Sequence, residues 1–369
     1  MSEWQNFKLR EVGTLQRGRS RHRPRYAFHL FNGPYPFIQT GEVREARKYV
    51  STFENTYSEA GLAQSKLWPK GTLCITIAAN IAELAILGFD ACFPDSVLGF
   101  IPDETRSDLD FVYYTLTHFQ KQLKHIGEGS VQDNINLGTF EDIEFPFPSL
   151  PEQKAIASVL SSLDDKIDLL HRQNRTLEAM AETLFRQWFI EEAKEDWEDG
   201  TLDQLIDLKY GKALKQEDRS GSGYPVVASS GIVGFHNNYL VKGPGIVIGR
   251  KGTLGKVYFM EDNFYPIDTS YFIQTNTSGS NLIFEYYLLK SLDFANMNSD
   301  SAVPGLNRNI ALGTQIQVPP EELILSFNET AQPWFSKIHS NTKQIQTLEK
   351  LRDTLLPKLM SGEVIVKWG

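Results

Sequence analysis

The sequence repeats itself once, and this duplication limits the possible folds more than any other feature of the chain. Residues 70–87 align with 242–259, and residues 90–101 align with 262–273, with aspartate, proline, phenylalanine and isoleucine in register. The same order continues through four further pairs of segments: 4–19 with 197–212, 111–116 with 284–289, 143–146 with 316–319, and 176–185 with 347–356. An order kept over a whole half of the chain indicates two copies of one structural unit.

Composition limits the class of protein. The chain has 369 residues, of which 41% are hydrophobic and 22% charged, as in a soluble globular protein of two or three domains. No apolar run reaches about 18 residues, so no membrane span is expected, and no secretion signal is recognised. Cys74 and Cys92 are too few for a disulfide framework and are expected to be buried thiols. These features favour a cytoplasmic protein.

Each copy has two parts. The first part consists of short β-like runs broken by glycine and proline, with one helical stretch near 111–123 or 284–292, which predicts a mixed α/β domain. The second part is a long helix. The predicted fold class is α+β: two similar mixed α/β domains at 1–150 and 195–321, separated by a long antiparallel two-helix coiled coil with helices at 151–194 and 322–369, related by a pseudo-twofold internal repeat.

The long helices carry a heptad seam. Ser149 precedes Glu152 by three residues, with Pro151 in the first turn, which is typical of a capping-box start. Seam residues then alternate at spacings of four and three, as in a coiled coil. The seam includes Leu163, Ile167, Leu170, Asn174 and Leu177 in the first helix and Ile338, Asn341, Ile345 and Leu348 in the second. The asparagine in each seam is expected to fix the register at a cost in stability.

Connectivity sets the direction of pairing. The link from the first helix to the second domain is short, so the second helix can pair with the first only by running back along it. As helix, residues 152–190 would rise about 57 Å at roughly 1.5 Å per residue, which predicts a dumbbell with one domain at each end. The alternative is two separate amphipathic helices, each packed on its own domain.

The distribution of charge matters more than its sum. A net charge of −9 argues weakly against nucleic acid, but one acidic run at 191–199 supplies more than half of it, so basic faces are possible elsewhere. Near the start, arginine takes alternate positions: Arg17, Arg19, Arg21, Arg23 and Arg25. On an extended chain they would form one basic comb suited to phosphates, although Gly18 and Pro24 favour a loop.

The second copy keeps a weaker form of this comb. Its basic residues are Lys209, Lys212, Lys215 and Arg219. Positive charge at the same place in both copies favours a shared, anionic partner. The alternative for either segment is a solvated, mobile loop.

A basic turn is predicted at 248–256 in the second copy. It contains Arg250, Lys251 and Lys256 among three glycines. The segment nearly spells a phosphate-binding P-loop, but the spacing differs and Val257 replaces the required serine or threonine, so nucleotide binding is rejected. Contact with DNA phosphates is the favoured hypothesis and a plain hairpin turn the alternative.

A third candidate is the polar segment that ends each domain. It contains Gln132, Asn134 and Asn136 in the first copy and Asn307, Arg308 and Asn309 in the second. Asparagine and glutamine pair with adenine, and arginine pairs with guanine, so these residues could read bases. Polar turn residues would look the same.

No catalytic motif is recognised. The dinucleotide-binding, Walker, C-x-x-C and H-E-x-x-H patterns and the tetrapeptide of amino-methyltransferases are missing, and the seven histidines have no ligand spacing. The neighbouring Asp164 and Asp165 are interpreted as a solvated face of the coil. The sequence therefore predicts neither an enzyme nor a metal site.

Three segments carry a family resemblance. They are "PSLPEQKAIASVLSSLDDKI" (148–167) in the first long helix, "TLEKLRDTLLPKLMSGEV" (347–364) in the second, and "VPGLNRNIALGTQIQVPP" (303–320) at the end of the second domain. With them the whole chain resembles the specificity subunits of Type I restriction–modification enzymes.

The resemblance implies that each domain is a target recognition domain that reads one half of a bipartite, asymmetric site in double-stranded DNA. The helices would set the gap between the half-sites and dock DNA methyltransferase (modification) subunits, expected to be two, and through them restriction and translocase subunits. The chain itself would hold no cofactor, because S-adenosylmethionine is expected on the modification subunits, which would methylate adenine at N6. The alternatives are the specificity subunit of a related fused or re-partnered restriction system, and a structural coiled-coil adaptor without DNA binding.

Overall fold

The structure is a computed structural model that describes residues 4–78, 81–128, 140, 142–194, 197–297 and 305–366. It divides into two compact units: unit 1 comprises 1–169 and 345–369, and unit 2 comprises 170–344. Each unit therefore contains one mixed α/β domain and one part of each long helix.

The strands of both units are short. In unit 1 they are β1 (Gln5–Lys8), β2 (Gly13–Arg17), β3 (Phe31–Phe37), β4 (Tyr49–Val50), β5 (Asn55–Tyr57), β6 (Leu67–Trp68), β7 (Leu73–Thr76), β8 (Leu84–Leu87), β9 (Ala91–Cys92), β10 (Val97–Pro102) and β11 (Glu144–Phe147). In unit 2 they are β12 (Glu198–Thr201), β13 (Ile206–Tyr210), β14 (Tyr224–Ala228), β15 (Gly231–His236), β16 (Gly245–Gly249), β17 (Val257–Met260), β18 (Tyr265–Pro266), β19 (Ser270–Thr275) and β20 (Gln315–Val318).

The α-helices differ widely in length. They are α1 (Leu9–Val12), α2 (Thr40–Glu45), α3 (Glu59–Ala63), α4 (Leu109–Glu128), α5 (Leu150–Arg186), α6 (Ile283–Ser291), α7 (Arg308–Leu312) and α8 (Glu321–Met360). The long helix α5 starts directly after Ser149 and continues into a π-helical turn at Gln187–Glu191. Both long helices begin within a residue or so of the predicted positions.

The order of strands confirms the duplication. The main sheet has the order β2-β10-β7-β8 in unit 1, extended by β4, and β13-β19-β16-β17 in unit 2. The pairs within these four strands are antiparallel in both units. In the second sheets β3 pairs parallel with β9, as β14 does with β18. The first and last strands of each domain also pair, β1 with β11 and β12 with β20.

The core of each unit joins the sheet to the long helices. In unit 1, Ile75 of β7 and Phe111 of α4 belong to the same buried cluster as Leu160 of α5 and Leu359 of α8. In unit 2, Ile248 of β16 and Phe284 of α6 cluster with Phe185 of α5 and Phe327 of α8. Complete burial of one such side chain contributes roughly 1.5–3 kcal/mol. Each domain is therefore fixed to the helices by its own hydrophobic core.

The predicted seam residues are shielded from solvent. Of these, Ile167, Leu170, Asn341 and Ile345 are buried, and Leu163, Asn174, Leu177, Ile338 and Leu348 are half-buried, whereas most residues between them are exposed. Within unit 2, Asn341 Nδ2 donates to Asn174 Oδ1 at 2.8 Å, so the two seam asparagines meet. Phe185, further along α5, packs against Phe327, earlier in α8, which makes the helices antiparallel within this unit. The predicted dumbbell shape stays a prediction.

Asp164 is not part of a solvated face, so that interpretation is wrong. Its side chain is only 12% exposed, and it forms an ion pair with Arg352 Nη1 of α8 at 2.8 Å. It also accepts a hydrogen bond of 2.6 Å from the Tyr114 hydroxyl of α4. Burial and this carboxylate raise the pKa of the Tyr114 hydroxyl, which stays protonated as a donor. The neighbouring Asp165 is exposed.

Two further predictions can be compared with the structure. Cys74 and Cys92 are both free and buried, and burial raises the pKa of Cys92 to about 11. Among the described residues, no helix combines the length and the apolar character that a membrane crossing requires.

Candidate nucleic-acid interface

The arginine-rich segment of unit 1 is a loop for most of its length. Arg17 ends β2, and the chain then leaves the strand until a short 3-10 turn at Phe28–Leu30. Gly18 fits there because a side chain would collide with the backbone of Pro94. The arginines therefore do not follow one face of a strand, and each has its own surroundings.

Asp95 binds two of these arginines. The Arg17 Nε group donates to the backbone carbonyl of Asp95. Arg25 Nη2 lies 2.9 Å from the carboxylate oxygen Oδ1 of the same residue. Both arginines are largely exposed, so the contacts orient them at the surface and leave donors for a ligand.

The other three arginines differ in whether the guanidinium has hydrogen-bond partners within the protein. Arg19 is half-buried and donates to the Ser65 carbonyl, and the Ser65 hydroxyl donates back to the Arg19 carbonyl at 2.8 Å. Arg23 Nη1 donates to the carbonyls of Ser20 and His22, at 2.8 Å each. Arg21 is exposed, and within the described part of the chain its guanidinium has no hydrogen bond or ion pair. Arg21 is thus the member best placed to contact a phosphate.

Exposed aromatic rings accompany this loop, and the sequence analysis did not single them out. Tyr26 and Phe28 are 73% and 84% exposed, and the Tyr26 ring stacks on Phe31. Both follow Arg25 closely in the sequence, which was the available signal. Rings beside cations are a common way to contact nucleic acid.

In unit 2, Asp207 organises the basic residues near β13. Its carboxylate pairs with Lys209 Nζ at 2.5 Å and with the guanidinium of Arg308. Arg308 Nε also donates to the Leu208 carbonyl at 2.7 Å. The hydrogen bond from Lys209, followed by that from Arg308, lowers the pKa of Asp207 below its ordinary value. Arg308 is therefore held in place.

Asn307 caps the short helix α7. Its Oδ1 accepts from the backbone N–H groups of Asn309 at 2.9 Å and Ile310 at 3.3 Å. The Oδ1 atom of Asn307 and the guanidinium of Arg308 are thus both engaged within the domain, and base reading by either residue stays a prediction. The side chain of Asn309 is exposed and remains a candidate.

Arg250 lies beside the rings of two neighbouring tyrosines. Its guanidinium carbon is 4.9 Å from the ring centre of Tyr210 and 5.6 Å from that of Tyr271. Its Nη1 donates to the Asp268 carbonyl at 3.0 Å. Burial raises the pKa of Tyr271, whose hydroxyl donates to the Leu306 carbonyl at 3.0 Å. Neither tyrosine was singled out from the sequence, because they are brought to Arg250 only by the pairing of β13 with β19.

The remaining lysines of unit 2 are exposed. Lys251 and Lys256 lie in the connection between β16 and β17, and Lys256 Nζ is 5.7 Å from the Tyr258 ring centre. Lys212 and Lys215 lie after β13, and Lys215 pairs with the equally exposed Glu217. Arg219 differs, because its guanidinium donates to the carbonyls of Val233 and Leu214. The predicted residues Gln132, Asn134 and Asn136 lie outside the described residues.

The fold and these surfaces define a class of protein: a tandem of two like α/β domains, each carrying basic and aromatic residues beside its main sheet and each fixed to the same two long helices. Known proteins of this class were found by sequence and by structure. The sequence model of the "Type I restriction modification DNA specificity domain" matches residues 1–179 and 194–346. The chain belongs to this family and is a specificity subunit by class.

Individual relatives cover nearly the whole chain. The specificity subunit of the type I restriction enzyme MjaIX from Methanocaldococcus jannaschii is 25% identical over 99% of this chain and 94% of its own length. The specificity subunit of the type I restriction enzyme EcoprrI from Escherichia coli is 23% identical over 82% of this chain and 80% of its own length. A crystal structure of the type I S subunit from M. genitalium has the same fold, with a TM-score of 0.69 at 22% identity over 97% and 96% of the two chains.

Proposed function

We propose that each domain reads one half of a bipartite site in double-stranded DNA. The observation that carries the proposal is the repetition of one strand order with different side chains at corresponding places. Arg250 follows the β16 strand in unit 2, whereas Ala78 stands at the aligned position of unit 1. Two like frameworks with unlike contact residues suit a site whose two halves differ in sequence.

The chain is proposed to act without chemistry of its own. It would hold no cofactor, and partner modification subunits would bind S-adenosylmethionine and methylate adenine at N6. The long helices would dock these subunits, expected to be two, and restriction subunits would join through them. The family to which the chain belongs supports this division of labour.

The proposal is tested by reconstitution. The full chain, its modification subunits, and the two together are incubated with DNA and radiolabelled S-adenosylmethionine. Methylation at one defined sequence is expected only when both are present, and the modification subunits alone are the control. Methyl transfer by the chain alone would refute the proposal.

A salt titration separates DNA reading from a structural adaptor. Binding of duplex DNA to the full chain without its partners is measured by fluorescence anisotropy between about 50 and 200 mM salt. Phosphate contacts predict a steep fall in affinity, because each neutralised phosphate releases counterions. An adaptor without DNA binding would give no signal at any salt concentration.

A further inference from the structure

Arg250 is fixed before any ligand arrives. Its backbone N–H donates to the Thr269 carbonyl at 3.0 Å, and its own carbonyl accepts from the Leu306 N–H at 2.9 Å. Its guanidinium is held by the Asp268 carbonyl and the two tyrosine rings. Both ends of the residue are thus restrained, so binding through it would cost little side-chain entropy.

The two rings beside Arg250 differ in exposure, and Arg250 itself is half-buried. Tyr271 is 1% exposed, whereas Tyr210 is 52% exposed, and their ring centres lie 5.0 Å apart. Tyr271 is therefore a buried ring beneath the guanidinium, and Tyr210 is a ring that contacts both the guanidinium and solvent. A guanidinium on a tyrosine face keeps its N–H groups free in the plane of the fork.

Arg250 has no neutralising partner. No carboxylate pairs with it within the described part of unit 2, in contrast to Arg308, which pairs with Asp207. A guanidinium offers five N–H donors, and the contacts with the Asp268 carbonyl and the Tyr271 hydroxyl use only part of them. The fork is therefore oriented, charged and available.

Unit 1 orients an arginine one position away in the alignment of 90–101 with 262–273. Asp95 and Asp268 each stand two residues before the equivalent strands β10 and β19. The carbonyl of each accepts a hydrogen bond from a guanidinium, that of Arg17 in unit 1 and that of Arg250 in unit 2. The two arginines come from different positions in the aligned sequences, so each unit supplies its oriented arginine from a different part of the domain.

We infer that Arg250 reads a guanine in the DNA half-site bound by unit 2. A fixed arginine fork matches the O6 and N7 acceptors that guanine presents in the major groove, and this match requires a defined position. Phosphate contacts need only charge, and the exposed Lys251 and Lys256 nearby supply it. The inference rests on the proposed function.

The test compares recognised sequences. The full chain with its modification subunits selects duplexes from a randomised DNA library, as wild type and as Arg250→Lys, Arg250→Gln, Tyr210→Ala and Lys251→Ala. Arg250→Lys keeps the charge but loses the fork. It should reduce the preference for guanine at one position of one half-site about 5- to 150-fold, the range expected for a bidentate contact. All other positions should keep their preference.

The companion variants make each outcome decisive. Arg250→Gln should lose the preference for the same guanine. Tyr210→Ala should weaken this preference, because the ring that orients the Arg250 guanidinium is gone. Lys251→Ala should lower affinity for all sequences alike. If Arg250→Lys or Arg250→Gln, folded by circular dichroism, loses affinity uniformly or leaves every position unchanged, the inference fails. If the wild-type complex selects no sequence at all, the proposed function fails instead.

Discussion

Arg19 and Arg21 stand two residues apart in the same loop, but their surroundings give them different roles. Arg19 is half-buried and its guanidinium holds the Ser65 carbonyl, whereas Arg21 is exposed and its side chain has no partner within the described residues. Arginines that look equivalent in the sequence can therefore be separated into a member held by the protein and an exposed member.

Arg21→Ala is expected to weaken binding to every DNA sequence equally. Loss of one phosphate contact should reduce the slope of log affinity against log salt by about 1, with no change in melting temperature. Fluorescence anisotropy over a range of salt concentrations measures the slope. The matched variant Arg19→Ala should instead lower the free energy of unfolding by roughly 1–2 kcal/mol. A loss of selectivity at a single base in Arg21→Ala would mean that this residue reads bases.

Asp207→Asn tests the anchoring of Arg308 through its dependence on pH. The ion pairs hold the pKa of Asp207 below its ordinary value of 3.8, so they stabilise unit 2 above about pH 4 and the effect is lost as the pH falls. At pH 7 the variant should unfold with roughly 0.5–1 kcal/mol less free energy than the wild type. This difference should shrink towards pH 3 in thermal unfolding followed by circular dichroism. Glu217→Gln, in the exposed pair with Lys215, is the control and should change little.

At the scale of elements, both ionic and amide contacts join each domain to the long helices. Unit 1 uses an ionic network in which Lys48 pairs with Asp110 at 3.0 Å and donates to Ser161 of α5 at 2.8 Å, next to the pair of Asp164 and Arg352. In unit 2, Asn328 Oδ1 of α8 accepts from the Phe284 N–H at 2.8 Å, and Lys343 of α8 pairs with Asp262 at 3.2 Å. These junctions hold the domain on the helices in each unit.

Asp164→Ala should destabilise unit 1 by roughly 2–4 kcal/mol, because it leaves Arg352 and the buried Tyr114 hydroxyl without their partner. Chemical denaturation measures the change, and Asp165→Ala on the neighbouring exposed position is the control. Equal effects of the two substitutions would mean that the network around Asp164 contributes little.

The elements could be predicted from the sequence where local pattern decides them. The duplication, the helix starts near Ser149 and the seam residues all follow from spacing along the chain. The partners of Asp164 could not be predicted, because Tyr114 and Arg352 lie far away in sequence and meet it only through tertiary packing. For the same reason, the contacts of Tyr210 and Tyr271 with Arg250 could not be predicted, since strand pairing brings these rings together. Asn307 was ambiguous, because a cap and a base reader need the same side chain.

At the scale of the whole molecule, duplication explains how one chain can address two places on a partner. Both units keep the strand order and the paired first and last strands, so the framework is the same twice. The residues proposed to contact DNA differ, as with Arg17 and Arg250, so the two half-sites are expected to differ in sequence. The predicted spacing of the domains along the helices stays a prediction, and the gap in the recognised DNA tests it.

The most direct test of the central claim is the DNA sequence that the complete complex selects. The full chain and its modification subunits are incubated with a randomised duplex library, and bound molecules are sequenced. The selected DNA is expected to contain two short blocks of defined but different sequence, separated by a gap of fixed length and random composition. A single continuous block, or two blocks with a freely varying gap, would contradict it.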